Sequence, residues 1–124
     1  MAYPADLKYT KDHEWVRVAG GEAEVGITDY AQQQLGDVVY VDLPDVGRTI
    51  AAGESFGSIE SVKAVSELFA PVSGEVVAVN AGLKDHPETV NSAPHTTWMI
   101  KVKLADPGAA ASLLDAGQYE ALLT

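Results

Sequence analysis

The sequence predicts a mainly β fold, a sandwich or flattened barrel, with a short internal helix and short C-terminal helices. Three observations lead there. Short runs rich in Val, Ile, Phe, Tyr and Trp recur between His13 and Leu104, which is the composition of strands that pack on a pleated surface. Turn formers separate these runs at Gly20-Gly21, Pro44 with Gly47, Gly53, and Pro71 with Gly74, and short strands at close spacing mark sandwiches and barrels. Helix-favouring composition is confined to the stretch after Thr28 and to the tail after Asp106.

In chain order, HEWVRVA (13–19) and EAEVGIT (22–28) flank the glycine pair and predict a hairpin. In TDYAQQQLGD, Thr28 is a helix cap, residues 31–35 are helix formers on balance, and Gly36 suits the position just past the helix end. DVVYVDLP (37–44), SFGSIESV (55–62), AVSELFA (64–70), GEVVAVN (74–80) and WMIKVKL (98–104) predict further strands. In the tail, Asp106 before Pro107 reads as an N-cap followed by proline in the first turn, with GAAASLL continuing as helix. Asp115 with Gln118 resembles a capping box ahead of YEALL.

Composition bounds the function. A chain of 124 residues is one domain's worth, 1–124, and 47% hydrophobic content is that of an ordinary globular chain. Eighteen acids against 8 bases leave a formal charge of −10. That field repels nucleic acid and anionic membrane and attracts partners with basic surfaces. The absence of cysteine excludes disulfides, thiolate metal sites and a cysteine nucleophile. No apolar run approaches the roughly 20 residues that cross a bilayer. The start, MAYPADLKYTKDHEW, has no basic segment followed by an apolar one, so a cytoplasmic protein is expected. No G-x-S-x-G, H-E-x-x-H or phosphate loop is present, and His13, His86 and His95 are scattered, so neither an enzyme nor a metal centre is expected.

The segment GSIESVKAVSELFAPVSGEV raises a sharper question. If 55–62 and 64–70 are antiparallel neighbours, the chain reverses at Lys63 with no Gly or Pro to mark a turn. Such a turn is held by the surrounding fold. A lysine there is exposed and hydrated. Catalytic lysines are usually desolvated, so this one suits attachment by a modifying enzyme better than catalysis.

The stretch ESVKA resembles the lipoyl-attachment motif of the glycine cleavage H-protein family, with Lys63 as the modified residue. LKYTKDHEWVRV, VGITDYAQQQLGDVVYVDLPDVG and APVSGEVVAVN resemble further blocks of that family, so the resemblance runs from Leu7 to the C-terminus. It implies a lipoyl/biotinyl-type barrel and a shuttle without a catalytic cycle of its own. Lipoate bound covalently to Lys63 would take an aminomethyl group from the pyridoxal-phosphate-dependent glycine decarboxylase. It would present that group to a tetrahydrofolate-dependent aminomethyltransferase. A flavin (FAD) dihydrolipoyl dehydrogenase would then reoxidise the arm. The reactive sulfurs would belong to the cofactor, in keeping with a chain that has no cysteine. Lysine plus an eight-carbon acyl chain makes an arm of about 14 Å. Val62 and Ala64 are suitably small and uncharged neighbours.

The resemblance also marks Glu60, three residues before the lysine, as a recognition point for the lipoate-attachment enzyme. A loaded arm ends in an ammonium and is labile in water, so a sheltering cleft should offer acceptors. Glu67, four residues past the lysine, and Glu14 of the DHEW block are the candidates, whereas Trp15 reads as core. Three relatives in kind compete. A biotin carrier typically sets its lysine between methionines, but Met1 and Met99 are both remote from Lys63. A lipoyl domain of a 2-oxoacid dehydrogenase usually has an acid before the lysine, where Val62 stands, and lacks DHEW. An H-like carrier that relays lipoate to other proteins shares every feature named. One departure from the family pattern is NSAPHTTW, where His95 replaces an aromatic residue and a glycine is missing. No family contact is carried onto His95, Thr96 or Thr97.

Overall fold

The glycine pair turns the chain as expected. Gly20 takes a left-handed φ of 66°, and the strands on either side pair antiparallel from Glu14–Ile27 to Ala19–Glu22. The computed structural model describes residues 3–106 and 108–123. Its elements are β1 Lys8–Tyr9, β2 Glu14–Ala19, β3 Glu22–Ile27, α1 Asp29–Leu35, β4 Val38–Asp42, β5 Thr49–Ile50, β6 Ser55–Ser61, β7 Val65–Phe69, β8 Gly74–Val79, α2 Thr89–Ser92, β9 Ile100–Leu104 and α3 Ala116–Leu123. Single 3-10 turns span Ala81–Lys84 and Ala109–Ser112.

The strands form two antiparallel sheets. One has six strands in the order β1-β2-β3-β9-β8-β5, and the other has three in the order β4-β6-β7. Alternation along each strand places Val16, Val25, Val76, Ile100 and Val102 of the larger sheet against Val41, Phe56, Ile59 and Leu68 of the smaller one in a single buried cluster. This is the flattened barrel or sandwich that the strand and turn pattern predicts.

A second cluster of Leu7, Tyr9, Trp15 and Tyr119 packs α3 and the N-terminal segment onto the larger sheet. Trp15 is fully buried, as expected, and lies across Gly26, its register partner. A Cβ on Gly26 would stand 2.5 Å from the indole, so the pair admits no side chain at that position. Tyr9 and Tyr119 stack with ring centres 4.8 Å apart.

The helix signals hold with one correction. Thr28 caps α1, its hydroxyl accepting the Ala31 amide at 3.2 Å. Gly36 ends the helix at φ 77°. Asp115 and Gln118 make a reciprocal capping box at 3.0 and 2.8 Å. GAAASLL, however, does not continue as helix. It makes one 3-10 turn, then Leu113 extends and Leu114 bridges to Tyr9, exchanging two backbone bonds at 2.8 and 2.9 Å. Strand pairing with β1 wins over local helix preference in this short alanine run. Asp106 instead turns the chain, accepting the Gly108 amide at 3.0 Å; the first-turn proline, Pro107, lies outside the described residues.

Candidate functional site

Lys63 sits where β6 passes to β7. The two strands pair from Ser55–Phe69 to Glu60–Val65, so the reversal falls on Val62 and Lys63. Neither residue adopts a positive φ. The turn is built instead by Ser61. Its hydroxyl oxygen accepts the Ala64 amide at 3.1 Å and the Lys63 amide at 3.3 Å, and its proton goes to the Ala64 carbonyl at 3.2 Å. The Ser61 amide also bonds that carbonyl at 2.8 Å. A hydroxyl that copies backbone hydrogen bonds replaces the missing Gly or Pro. Ser61 was the sequence signal for this turn, and a reading that looked only for Gly and Pro misses it.

The tip is also anchored from behind. The Val62 amide donates to the Asp37 carbonyl at 3.0 Å. Asn91 of α2 accepts the Val38 amide at 2.9 Å and donates to the Gly36 carbonyl at 2.8 Å and to Gln32 at 3.0 Å. One side chain therefore ties the end of α1 to the start of β4, directly behind the hairpin. In the sequence Asn91 only opens a divergent loop, and its partners lie more than 50 positions away, so nothing local signals this role.

Lys63 itself is exposed and forms no ion pair among the described residues. Its stem crosses Gly36, where an added Cβ would stand 3.5 Å from Lys63 Cε. Val62 and Val65, which flank it, are each 69% exposed. The lysine thus projects from a fixed base with an apolar collar. Glu60 is exposed beside it, in a lateral row with Tyr40 and Val65 across the smaller sheet.

A cleft of about 400 Å³ opens next to the hairpin. One wall is α1, through Tyr30, Ala31, Gln34 and Leu35; the other is Ala64 and β7 as far as Leu68; the far end is formed by Asp12, His13 and Glu14. Both acids singled out from the sequence line it, but in different settings. Glu67 is exposed at the rim and accepts a hydrogen bond from the Ser55 hydroxyl. Strands rise ~3.3 Å per residue, which puts Glu67 about 13 Å from Lys63 along β7, within reach of an arm of about 14 Å.

Glu14 is 2% exposed. It accepts the Thr10 hydroxyl at 2.7 Å and the Phe69 amide at 3.4 Å. Burial disfavours its charge more than these bonds favour it, and its carboxyl is pushed up to about 7. Near neutral pH this group is poised between a hydrogen-bond donor and a carboxylate. A cation arriving beside it would draw it to the ionised form.

The divergent loop does not line the cleft but supports its wall. The Asp29 amide, in the first turn of α1, donates to His95 Nε2 at 3.1 Å. The Pro94 carbonyl accepts the Trp15 indole N–H at 2.8 Å. His95 is half-buried, and that burial pulls its pKa down and keeps the ring a neutral acceptor. Among the described residues no cluster of His, Asp and Glu has the geometry to hold a metal ion. No described helix is long and apolar enough to cross a membrane.

Comparison with known proteins bears on this site as a whole. The family model described as "Glycine cleavage H-protein" matches residues 7–124. The chain is 59% identical over 120 residues to the glycine cleavage system H protein of Koribacter versatilis (strain Ellin345), covering 97% of this chain and 93% of that one. It is 57% identical over 124 residues to the protein of the same name from Geobacillus kaustophilus (strain HTA426), covering 99% and 98%. The crystal structure of a glycine cleavage system H protein from Mycobacterium marinum superposes with a TM-score of 0.88 at 43% identity, covering 96% of this chain and 97% of that one.

Proposed function

The chain belongs to the glycine cleavage H-protein family, and on that premise we propose that it shuttles an aminomethyl group on a lipoyl arm attached at Lys63. A protein of this family is a non-catalytic carrier subunit. The observation that carries the finer reading is the pairing of a rigid, exposed lysine with an adjacent cleft that ends in a buried acid.

The hairpin supplies the base of the arm. Ser61, Asn91 and the Val62–Asp37 bond fix the direction in which Lys63 leaves the surface. Exposure keeps its amine open to the lipoate-attachment enzyme, for which Glu60 on the same sheet face is a recognition point. Once acylated, Lys63 would hold the arm on this base within reach of each partner in turn: glycine decarboxylase, the tetrahydrofolate-dependent aminomethyltransferase, and dihydrolipoyl dehydrogenase. The relatives compared come from bacteria, and we take this shuttle to work in the cytoplasm.

The cleft shelters the load between partners. Loss of the load consumes one water: the S–CH2–NH3+ group becomes a thiol, formaldehyde and an ammonium ion. Excluding water slows this. Glu67 at the rim and Glu14 at the far end supply acceptors for the ammonium. Burial pushes the Glu14 carboxyl up to about 7, and a cation beside it would favour release of its proton.

Ammonia release from aminomethyl-loaded protein, measured without the transferase, tests this reading. Glu14→Ala and Glu67→Ala should each leak faster than wild type, with lipoylation unchanged. Equal leakage in the double variant would remove the acidic latch from the account.

A further inference from the structure

The far end of the cleft holds a histidine that the shuttle reading leaves without a task. His13 is the only non-glycine among the described residues with a positive φ, 71°. Backbone in that region is unusual outside glycine and persists only where the surroundings hold it. Here they do. The His13 amide donates to the Thr10 carbonyl at 3.1 Å, and its carbonyl accepts the Thr28 amide at 3.0 Å. The conformation aims the imidazole between Tyr30 and Tyr119, with ring centres 4.6 and 5.7 Å away.

Tyr119 decides what that imidazole offers. This residue of α3 is fully buried, and its hydroxyl lies 2.7 Å from His13 Nδ1 and 2.8 Å from Thr28 Oγ1. Thr28 Oγ1 already accepts the Ala31 amide, so its own proton needs an acceptor. One arrangement places every proton: Thr28 donates to Tyr119, Tyr119 donates to Nδ1, and the neutral ring carries its hydrogen on Nε2. In the reverse arrangement the Thr28 proton, inside a buried pair, has no acceptor at either bond. Burial pulls the His13 pKa down, which agrees with a neutral ring. No buried side-chain nitrogen or oxygen among the described residues lacks a partner. Nε2 bonds to no described residue and so stands open, at a residue that lines the cleft.

We propose that His13 is a cleft contact for the carried arm, offering its Nε2–H to an arm sulfur, and that the buried Tyr119 hydroxyl is the positioning group that sets this tautomer. The inference rests on the cleft reading above and deepens it. The acids take the ammonium; the imidazole N–H takes the adjacent acceptor atom, since at the far end of the cleft the arm presents its sulfurs rather than its amide. Through Thr28, which caps α1, the same hydroxyl also joins the far end of the cleft to its α1 wall. The C-terminal helix thereby shapes a site it does not line.

Nitrogen-15 NMR of the imidazole tests this in the wild-type chain, unlipoylated and carrying the aminomethyl-loaded arm. The expected result is an Nε2-protonated ring in both, with the Nε2–H signal displaced by the arm. Two variants separate contact from scaffold. His13→Asn tolerates the left-handed backbone and keeps an amide near the Nδ1 position, but has nothing at Nε2. It should leak ammonia several-fold faster with an unchanged melting temperature. Tyr119→Phe keeps the ring and loses the hydroxyl; its His13 should show a mixture of tautomers and leak faster too. An Nδ1-protonated ring, an Nε2–H signal indifferent to the arm, or wild-type leakage from His13→Asn would each overturn the proposal. If such a result came with faster leakage from Glu14→Ala, only His13 would fall. Wild-type leakage from the double variant of Glu14 and Glu67 would remove the latch reading, and this inference with it.

Discussion

Replacing Glu14 by glutamine should stabilise the protein at alkaline pH and destabilise it slightly in acid. The carboxyl has a pKa of about 7 in the fold against 4.5 for the free group. The folded state therefore holds a proton that the unfolded chain gives up between those two values. By linkage the protonated group's contribution is complete below about pH 4.5 and is lost as pH rises through about 7, a difference of about 3 kcal/mol at alkaline pH. Glutamine is neutral throughout. Its amide oxygen keeps the 2.7 Å bond from the Thr10 hydroxyl, but its NH2 faces the Phe69 amide, which was a long 3.4 Å contact. Losing that contact costs about 1 kcal/mol. The variant should then be more stable by about 2 kcal/mol near pH 8.5, and less stable by about 1 kcal/mol near pH 4. His13 and His95, whose burial makes them lose stability as pH falls below the ordinary histidine value, contribute equally to both chains and cancel. Urea unfolding of both proteins at several pH values measures the difference. Stability curves that run parallel from acid to alkali would refute the burial argument for Glu14.

Other substitutions probe the scaffold and the attachment point. Gly26→Ala drives a Cβ to 2.5 Å from the buried Trp15 indole, and should lower stability in denaturant unfolding by about 1–3 kcal/mol. Asn91→Ala strands the Val38 amide and the Gly36 carbonyl behind the hairpin. It should cost about 1–3 kcal/mol in unfolding and speed amide exchange at Val38. Glu60→Ala leaves an exposed position vacant, so circular dichroism should be unchanged. Its lipoylation should slow about tenfold, the equivalent of one contact of ~1.4 kcal/mol with the attachment enzyme.

The parts of this fold that were legible in the sequence are those decided locally. The hairpin at Gly20-Gly21, the Thr28 cap and the capping box at Asp115 all rest on residues within a few positions of each other. The strands β1 and β5, two residues each, and the four-residue α2 carry too little pattern to read, and long-range partners hold them: Leu114 for Tyr9, Gly74 for Ile50, and Val38 for Asn91. The same distinction divides the site. Lys63 at a chain reversal was visible because two strand patterns meet there. The burial of Glu14 was not, because it depends on β7, whose Phe69 amide reaches its carboxyl from 55 positions away. Nor was the role of Tyr119, which meets His13 across 106 positions. Trp15 was legible as core because a large aromatic in an alternating strand has one apolar face to join. The GAAASLL segment misled because alanine's helix preference over so few residues is weaker than pairing with β1.

Intact-mass measurement tests the central claim most directly. The chain and its Lys63→Arg variant would each be produced in cells with an active lipoate-attachment enzyme and supplied lipoate. The account predicts that wild type gains the mass of one lipoyl group, that peptide fragmentation places it on Lys63, and that the variant gains nothing. A lipoyl increment on the variant, or a folded wild-type chain that stays unmodified beside a lipoylated control carrier, would contradict it.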